Sequence, residues 1–215
     1  MHIAWKTIDI NDWERRNAFL GFKDFDFPYS VVGTDLDISK ALAYWKQNRL
    51  SPYLSLVYSV CHTVNQIPAF RQRIRNGIPI EHECIHADFT VPSGSEAFAI
   101  KVVEYTPDFR KFYEMASSPV PPKWASPGDG TNHDDHLVYM SCLPWVKFNH
   151  IVQPTDRRSG SIPRIVWGRF TEEKEKITLP ISVQTHHSLV DGIHVGRFVE
   201  HLQNLLDQPS LVFKK

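Results

Sequence analysis

Eleven histidines are spread over 215 residues, and three runs gather them with partners that could do chemistry. His82-Glu83-Cys84-Ile85-His86 has the H-E-x-x-H spacing of a zinc protease. That spacing works on a helix, where histidines four apart share one face and the glutamate stands over a metal-bound water. Here the run lies between Ile78-Pro79-Ile80 and Phe89-Thr90-Val91-Pro92, which is strand context. In a strand His82, Cys84 and His86 share a face and Glu83 points away. The run is therefore read as a fortuitous strand, with no metal assigned. Asn132-His133-Asp134-Asp135-His136 is read as a solvated loop.

The third run, His186-His187-Ser188-Leu189-Val190-Asp191-Gly192, follows the apolar segment ITLPISVQT and precedes the last apolar-periodic stretch. A strand end, two histidines, an Asp-Gly turn and a helix start form a place where an imidazole can be exposed as a base. Asp191 could equally cap the helix with both histidines packed. Ser141, His187 and Asp191 could together suggest a hydrolase triad. The nucleophile elbow G-x-S-x-G is absent around Ser141, and only three residues separate His187 from Asp191, at the two ends of one tight turn. A serine hydrolase is set aside.

The elements that must position these residues can be read from periodicity and caps. Residues 2–9 alternate as a strand. Asn11 stands three before Glu14, a capping-box spacing that predicts a helix through Phe22. Residues 29–36 read as a strand, and Asp37 caps a helix over residues 38–48. Ser51-Pro52 places a capping hydroxyl before a proline at the first helical position, opening a buried helix YLSLVYSVCHTVNQ. Strands are expected over residues 71–76, 78–91 and 95–105, with a turn at Asn76-Gly77. A helix follows Thr106-Pro107, and residues 118–135 read as loop. Strands return at 136–141, 163–170 and 176–185. The last helix carries Val195, Phe198, Val199, Leu202, Leu205 and Leu206 at helical spacing. Strands and helices interleave without regular βαβ alternation, which predicts an α/β protein with a mixed β-sheet and flanking helices in one domain, 1–215.

Composition narrows the partners. Lys+Arg and Asp+Glu are 24 each, so the chain lacks the basic excess of a nucleic-acid binder. No run approaches a membrane span, and the N-terminus lacks a basic then apolar leader. Three scattered cysteines (Cys61, Cys84, Cys142) do not suggest a disulfide framework. A cytoplasmic protein is expected.

HHxxxDG resembles the signature of CoA-dependent acyltransferases, and further segments narrow the resemblance to the chloramphenicol acetyltransferase family. These are Trp13-Glu14-Arg15-Arg16 with Phe19, Val64-Asn65-Gln66, Phe89-Thr90-Val91, and Ser141-Cys142-Leu143-Pro144-Trp145-Val146 with Phe148. Leu179-Pro180-Ile181-Ser182-Val183-Gln184 and Asp191-Gly192-Ile193-His194-Val195-Gly196-Arg197-Phe198 complete the set. The resemblance implies a two-layer sandwich that forms homotrimers with active sites at subunit interfaces, and acetyl transfer from acetyl-CoA to a hydroxyl of chloramphenicol. It implies His187 as general base, Ser141 as hydrogen-bond donor to the oxyanion, and Arg15 with Asp191 as a supporting pair whose loss, if buried, should be severe. His186 is read as structural. Acetyl-CoA is a co-substrate, and no metal is implied.

The acceptor pocket departs from the family pattern. Phe22 stands where many members have tyrosine, Val166 where a threonine holds a water, and Phe170 where a tyrosine lies near CoA. Phe25, Phe27, Phe98 and Trp124 join Phe22 and Val166 as candidate lining. Two alternatives follow: the same chemistry on another small hydroxylated acceptor, or a non-catalytic trimeric binding or scaffold member.

Overall fold

A computed structural model describes residues 4–94, 96–119, 135–156 and 160–213. The elements run β1 (Trp5–Thr7), α1 (Arg16–Phe22), β2 (Tyr29–Asp37), α2 (Ser39–Gln47), α3 (Pro52–Gln66), α4 (Pro68–Arg71), β3 (Gln72–Arg75), β4 (Ile78–His82), β5 (His86–Pro92) and β6 (Phe98–Val103). Then follow α5 (Phe109–Ser117), β7 (Leu137–Leu143), β8 (Arg164–Gly168), β9 (Thr171–Glu173), β10 (Lys176–His186), α6 (Gly192–Asp207) and α7 (Pro209–Val212). The main sheet has the order β2-β10-β8-β7-β5-β6, with β9 also on β10. Its β5-β7 and β7-β8 pairs are parallel and the others antiparallel, so the sheet is mixed, as expected. A small sheet β1-β4-β3 stands apart from it.

Alternation along the strands sorts the two faces of the main sheet. Ala87 and Phe89 of β5, Val138 and Met140 of β7, Ile165 and Trp167 of β8, and Ile181 and Val183 of β10 are all buried in one core with α2, α3 and α6. Helix α3 is its centre. Ser51 caps it by accepting from Leu54 N, and Pro52 is its first residue. Two of its buried hydroxyls turn back on the helix, Ser59 to Ser55 O at 2.7 Å and Thr63 to Ser59 O at 2.8 Å, whereas that of Ser55 has no partner among the described residues.

The opposite face is covered over its β2–β10 half by residues 149–153. Ser182 Oγ accepts from Ile151 N at 3.1 Å, and Gln184 Oε1 accepts from Gln153 N at 2.7 Å. These bonds account for two polar side chains that are only 1% and 2% exposed. Gly33 lets this strap lie flat, since a Cβ there would stand 1.6 Å from Asn149 O. Gly33→Ala should therefore destabilise the fold by about 1–3 kcal/mol, read as a lower urea midpoint at unchanged slope.

Two expectations are corrected. The helix expected from the Asn11–Glu14 capping box begins only at Arg16, with Arg15 at its N-cap and no side-chain cap. The Asn11 amide instead closes a local turn onto Asp9 Oδ1 at 2.9 Å. The expected single strand over 78–91 is broken at 83–85, which puts His82 and His86 in different sheets. The cause lies in α3: Asn65 Oδ1 accepts from Ile85 N at 2.8 Å, and Asn65 Nδ2 donates to Ile85 O at 2.8 Å. That side chain takes both backbone groups of Ile85 and pins its side chain in the core at 0% exposure.

Candidate active site

His187 follows the last residue of β10 and precedes the cap of α6. Its backbone is gripped from both sides. The His187 amide donates to Pro28 O at 2.7 Å, and Arg15 Nη2 donates to the His187 carbonyl at 3.0 Å. The ring lies against Phe22, with centroids 4.4 Å apart, and Phe22 packs edge-on against Phe25 at 5.3 Å. Nδ1 is buried and has no hydrogen-bond partner among the described residues, which leaves Nε2 as the nitrogen open to an incoming group. A half-buried imidazole with one open nitrogen and a fixed backbone can exchange a proton at a defined point.

Asp191 begins α6. Its Oδ1 accepts from Gly192 N at 2.7 Å, its amide donates to His194 Nδ1 at 2.9 Å, and the two residues form a capping box. The bond from Gly192, with a smaller contribution from Arg15, holds the Asp191 carboxyl below its ordinary range. Arg15 Nη1 reaches Asp191 Oδ2 at 3.5 Å, with the two side chains 15% and 50% exposed. The condition attached to a severe loss, a buried pair, is therefore not met; a half-exposed contact of this length contributes little. The shorter bond from Arg15 goes to the His187 carbonyl, so its stronger hold is on the backbone of His187.

His186 is packed away. It is 7% exposed, its Nδ1 lies 2.7 Å from Ser188 Oγ, and burial pulls its pKa down to about 4. His86 is likewise pulled to about 4 by burial, and its Nδ1 accepts from Tyr105 N at 3.0 Å. Both are neutral in the fold and would charge near pH 6.5 once unfolded. The unfolded chain thus binds more protons between those values, and stability falls as pH drops through that window. Each histidine should remove on the order of 2 kcal/mol between pH 8 and pH 5. A falling thermal midpoint over this range, lessened in His186→Asn, is the expected reading.

Ser141 lies elsewhere. It sits on β7 opposite Val166 of β8, which in turn faces Ser182 of β10. Ser141 and Ser182 are thus two strand spacings apart, about 10 Å, and five residues from Ser182 to His187 add roughly 16 Å along the strand. One reacting oxygen cannot stand near both within a single chain. Ser141 Oγ is instead 3.2 Å from Thr90 Oγ1 on β5, a neighbour that sequence reasoning named only as part of a motif. The candidate lining divides in the same way. Phe22 and Phe25 stand by His187, whereas Val166 stands by Ser141 and is 2% exposed. Phe98 is on β6, two strands from β7, and is 52% exposed. Phe27 packs edge-on against Tyr29, and Phe170 is 47% exposed. Trp124 lies outside the described residues, as do His133 and Asp134.

The H-E-x-x-H run serves structure. His82 Nε2 is 2.8 Å from Asp135 Oδ1, which also takes a hydrogen-bonded ion pair from Arg75. Burial alone would raise the Asp135 carboxyl, but hydrogen bonds from His82 and Arg75 outweigh it and hold it well below the ordinary range. Among the described residues no three His, Cys, Asp or Glu side chains gather as a metal site. None of the helices there is long and apolar enough to cross a membrane.

This sheet, with helices on one face and a His-His-turn-Asp-Gly corner at a strand end, defines an acyltransferase fold. The chain belongs to the chloramphenicol acetyltransferase family, whose model matches residues 3–203. It is 30% identical over 214 residues to a chloramphenicol acetyltransferase of Streptomyces acrimycini, covering 94% of each chain. To one of Escherichia coli it is 26% identical over 212 residues, covering 95% of each. A solved chloramphenicol acetyltransferase superposes with a TM-score of 0.87 at 25% identity, over 94% of this chain and all of the other.

Proposed function

We propose that the chain is a single-domain acetyl-CoA-dependent O-acetyltransferase, acting in the cytoplasm as a homotrimer, with chloramphenicol as acceptor. The observation that carries the reading is His187: an imidazole with its backbone held on both sides, its Nδ1 buried and its Nε2 open. Nε2 takes the proton of the acceptor hydroxyl as that oxygen attacks the thioester carbonyl. The carbonyl becomes a tetrahedral oxyanion, which accepts a hydrogen bond from the Ser141 hydroxyl. The carbon–sulfur bond then breaks, the imidazolium returns its proton to the sulfur, and CoA thiol and acetyl ester leave. Transfer is direct, with no acyl-enzyme and no metal.

The distance between His187 and Ser141 in one chain supports a site shared by two subunits, with the base from one and the oxyanion donor from its neighbour. The test is thiol release from acetyl-CoA by the purified protein, with and without chloramphenicol. Release that depends on chloramphenicol is expected. Release that chloramphenicol does not stimulate would remove it as the acceptor.

A further inference from the structure

The face of the main sheet that carries Ser141 also carries a carboxylate with no part in the acetyl-transfer step. Asp88 lies two residues before Thr90 on β5, so both side chains leave the sheet on the same side, with Cα atoms about 7 Å apart. Thr90 is the residue whose hydroxyl meets Ser141 at 3.2 Å. Across the sheet Asp88 pairs with Tyr139 of β7 on one side and Val102 of β6 on the other. Phe89, between Asp88 and Thr90, points the other way into the core and is fully buried.

The surroundings of Asp88 are apolar on the β6 side. Phe98 and Val102 are 52% and 49% exposed, and Ile100, opposite Thr90, lies between them on the same face. Arg164, the nearest cation along its row, lies over the Tyr139 ring at 5.3 Å and donates to Ile162 O at 2.9 Å. No hydrogen bond or ion pair among the described residues reaches the Asp88 carboxylate. Burial without a partner raises its pKa to about 7. A half-buried carboxylate without a cation is unfavourable, and an opposite charge brought to it relieves that penalty. The strap over residues 149–153 covers the β2–β10 half of this face and is held there by β10 side chains, so it does not supply the partner.

We infer that Asp88 is a specificity-determining residue of the acceptor pocket, selecting hydroxylated acceptors that pair an apolar body with a protonated amine near the reacting hydroxyl. The acceptor hydroxyl would stand at the Ser141–Thr90 end, the amine at Asp88, and the apolar body along Phe98, Ile100 and Val102. This rests on the acetyl-transfer reading and adds to chloramphenicol a class of cationic acceptors.

The test compares chloramphenicol, a neutral amide, with its deacylated free amine, which keeps the same hydroxyls and carries a primary ammonium. Thiol release gives kcat/KM for each, and proton NMR of the product separates the ester from the amide of equal mass. Asp88→Asn should lower the ratio of kcat/KM for O-acetylation of the amine to that for chloramphenicol about tenfold or more. Calorimetric binding of the amine without acetyl-CoA should weaken by a similar factor. Asp88→Ser, smaller and also neutral, should repeat the change if asparagine disturbs the fold. An unchanged ratio between the two acceptors, with transfer intact, overturns the role of Asp88 and leaves acetyl transfer standing. Equal losses for both acceptors together with dissociation of the assembly also overturn it, since Asp88 would then serve a subunit contact. Absent transfer to every alcohol, with amine binding still weakened by Asp88→Asn, would sink the transferase reading and keep the Asp88 site.

Discussion

His187→Ala is expected to lower kcat for acetyl transfer by about 10²–10⁴, the range over which a positioned base contributes. The melting temperature should hardly move. The bonds that fix this position run through its backbone, to Pro28 O and from Arg15, and alanine keeps both. What is lost is a ring packed at 4.4 Å against Phe22, part of a half-buried contact. KM for the acceptor should change far less than kcat, because proton removal belongs to the transition state rather than to binding. Steady-state thiol release and a thermal melt of the same preparation check both parts. Turnover within tenfold of the parent would sink the assignment of His187 as base.

What could be read from the sequence was what local chemistry decides. Ser51-Pro52 opens α3 where expected. Asn76 and Gly77 both take positive φ in the two-residue turn between β3 and β4, the conformation such hairpins need. The HHxxxDG corner, its helix and the buried His186 were likewise legible. What was hidden depended on partners far along the chain. The break between β4 and β5 is made by Asn65, twenty residues before Ile85. The late start of α1 leaves Arg15 at the N-cap, with its guanidinium drawn to His187 and Asp191 more than 170 residues away. The polar faces of Ser182 and Gln184, unlikely strand-core residues by composition, wait for a strap some thirty residues earlier. The site shows the same division: residue types marked His187 and Ser141, whereas strand register separates them, brings Thr90 beside Ser141 and sets Asp88 opposite Tyr139 on the same face.

That separation makes Ser141 the more informative position. Removing one oxyanion donor costs roughly 10²–10³ in kcat, so Ser141→Ala should fall by that factor, again with little effect on stability. Among the described residues its hydroxyl has one hydrogen-bond partner, Thr90 Oγ1, which is itself partly accessible. The two single variants then report on each other. If each site takes its base from one subunit and its oxyanion donor from the next, His187→Ala and Ser141→Ala chains that are mixed, unfolded and reassembled must create some sites with both groups intact. In a ring of three with random placement, a site is intact when its base-giving subunit and its donor-giving neighbour both carry the required residue, so roughly a quarter of sites recover. Activity of the mixture should rise from the floor of either variant to about that fraction of the parent. A mixture no more active than its two components would mean that the base and the donor must come from one chain, which the register of β7, β8 and β10 opposes.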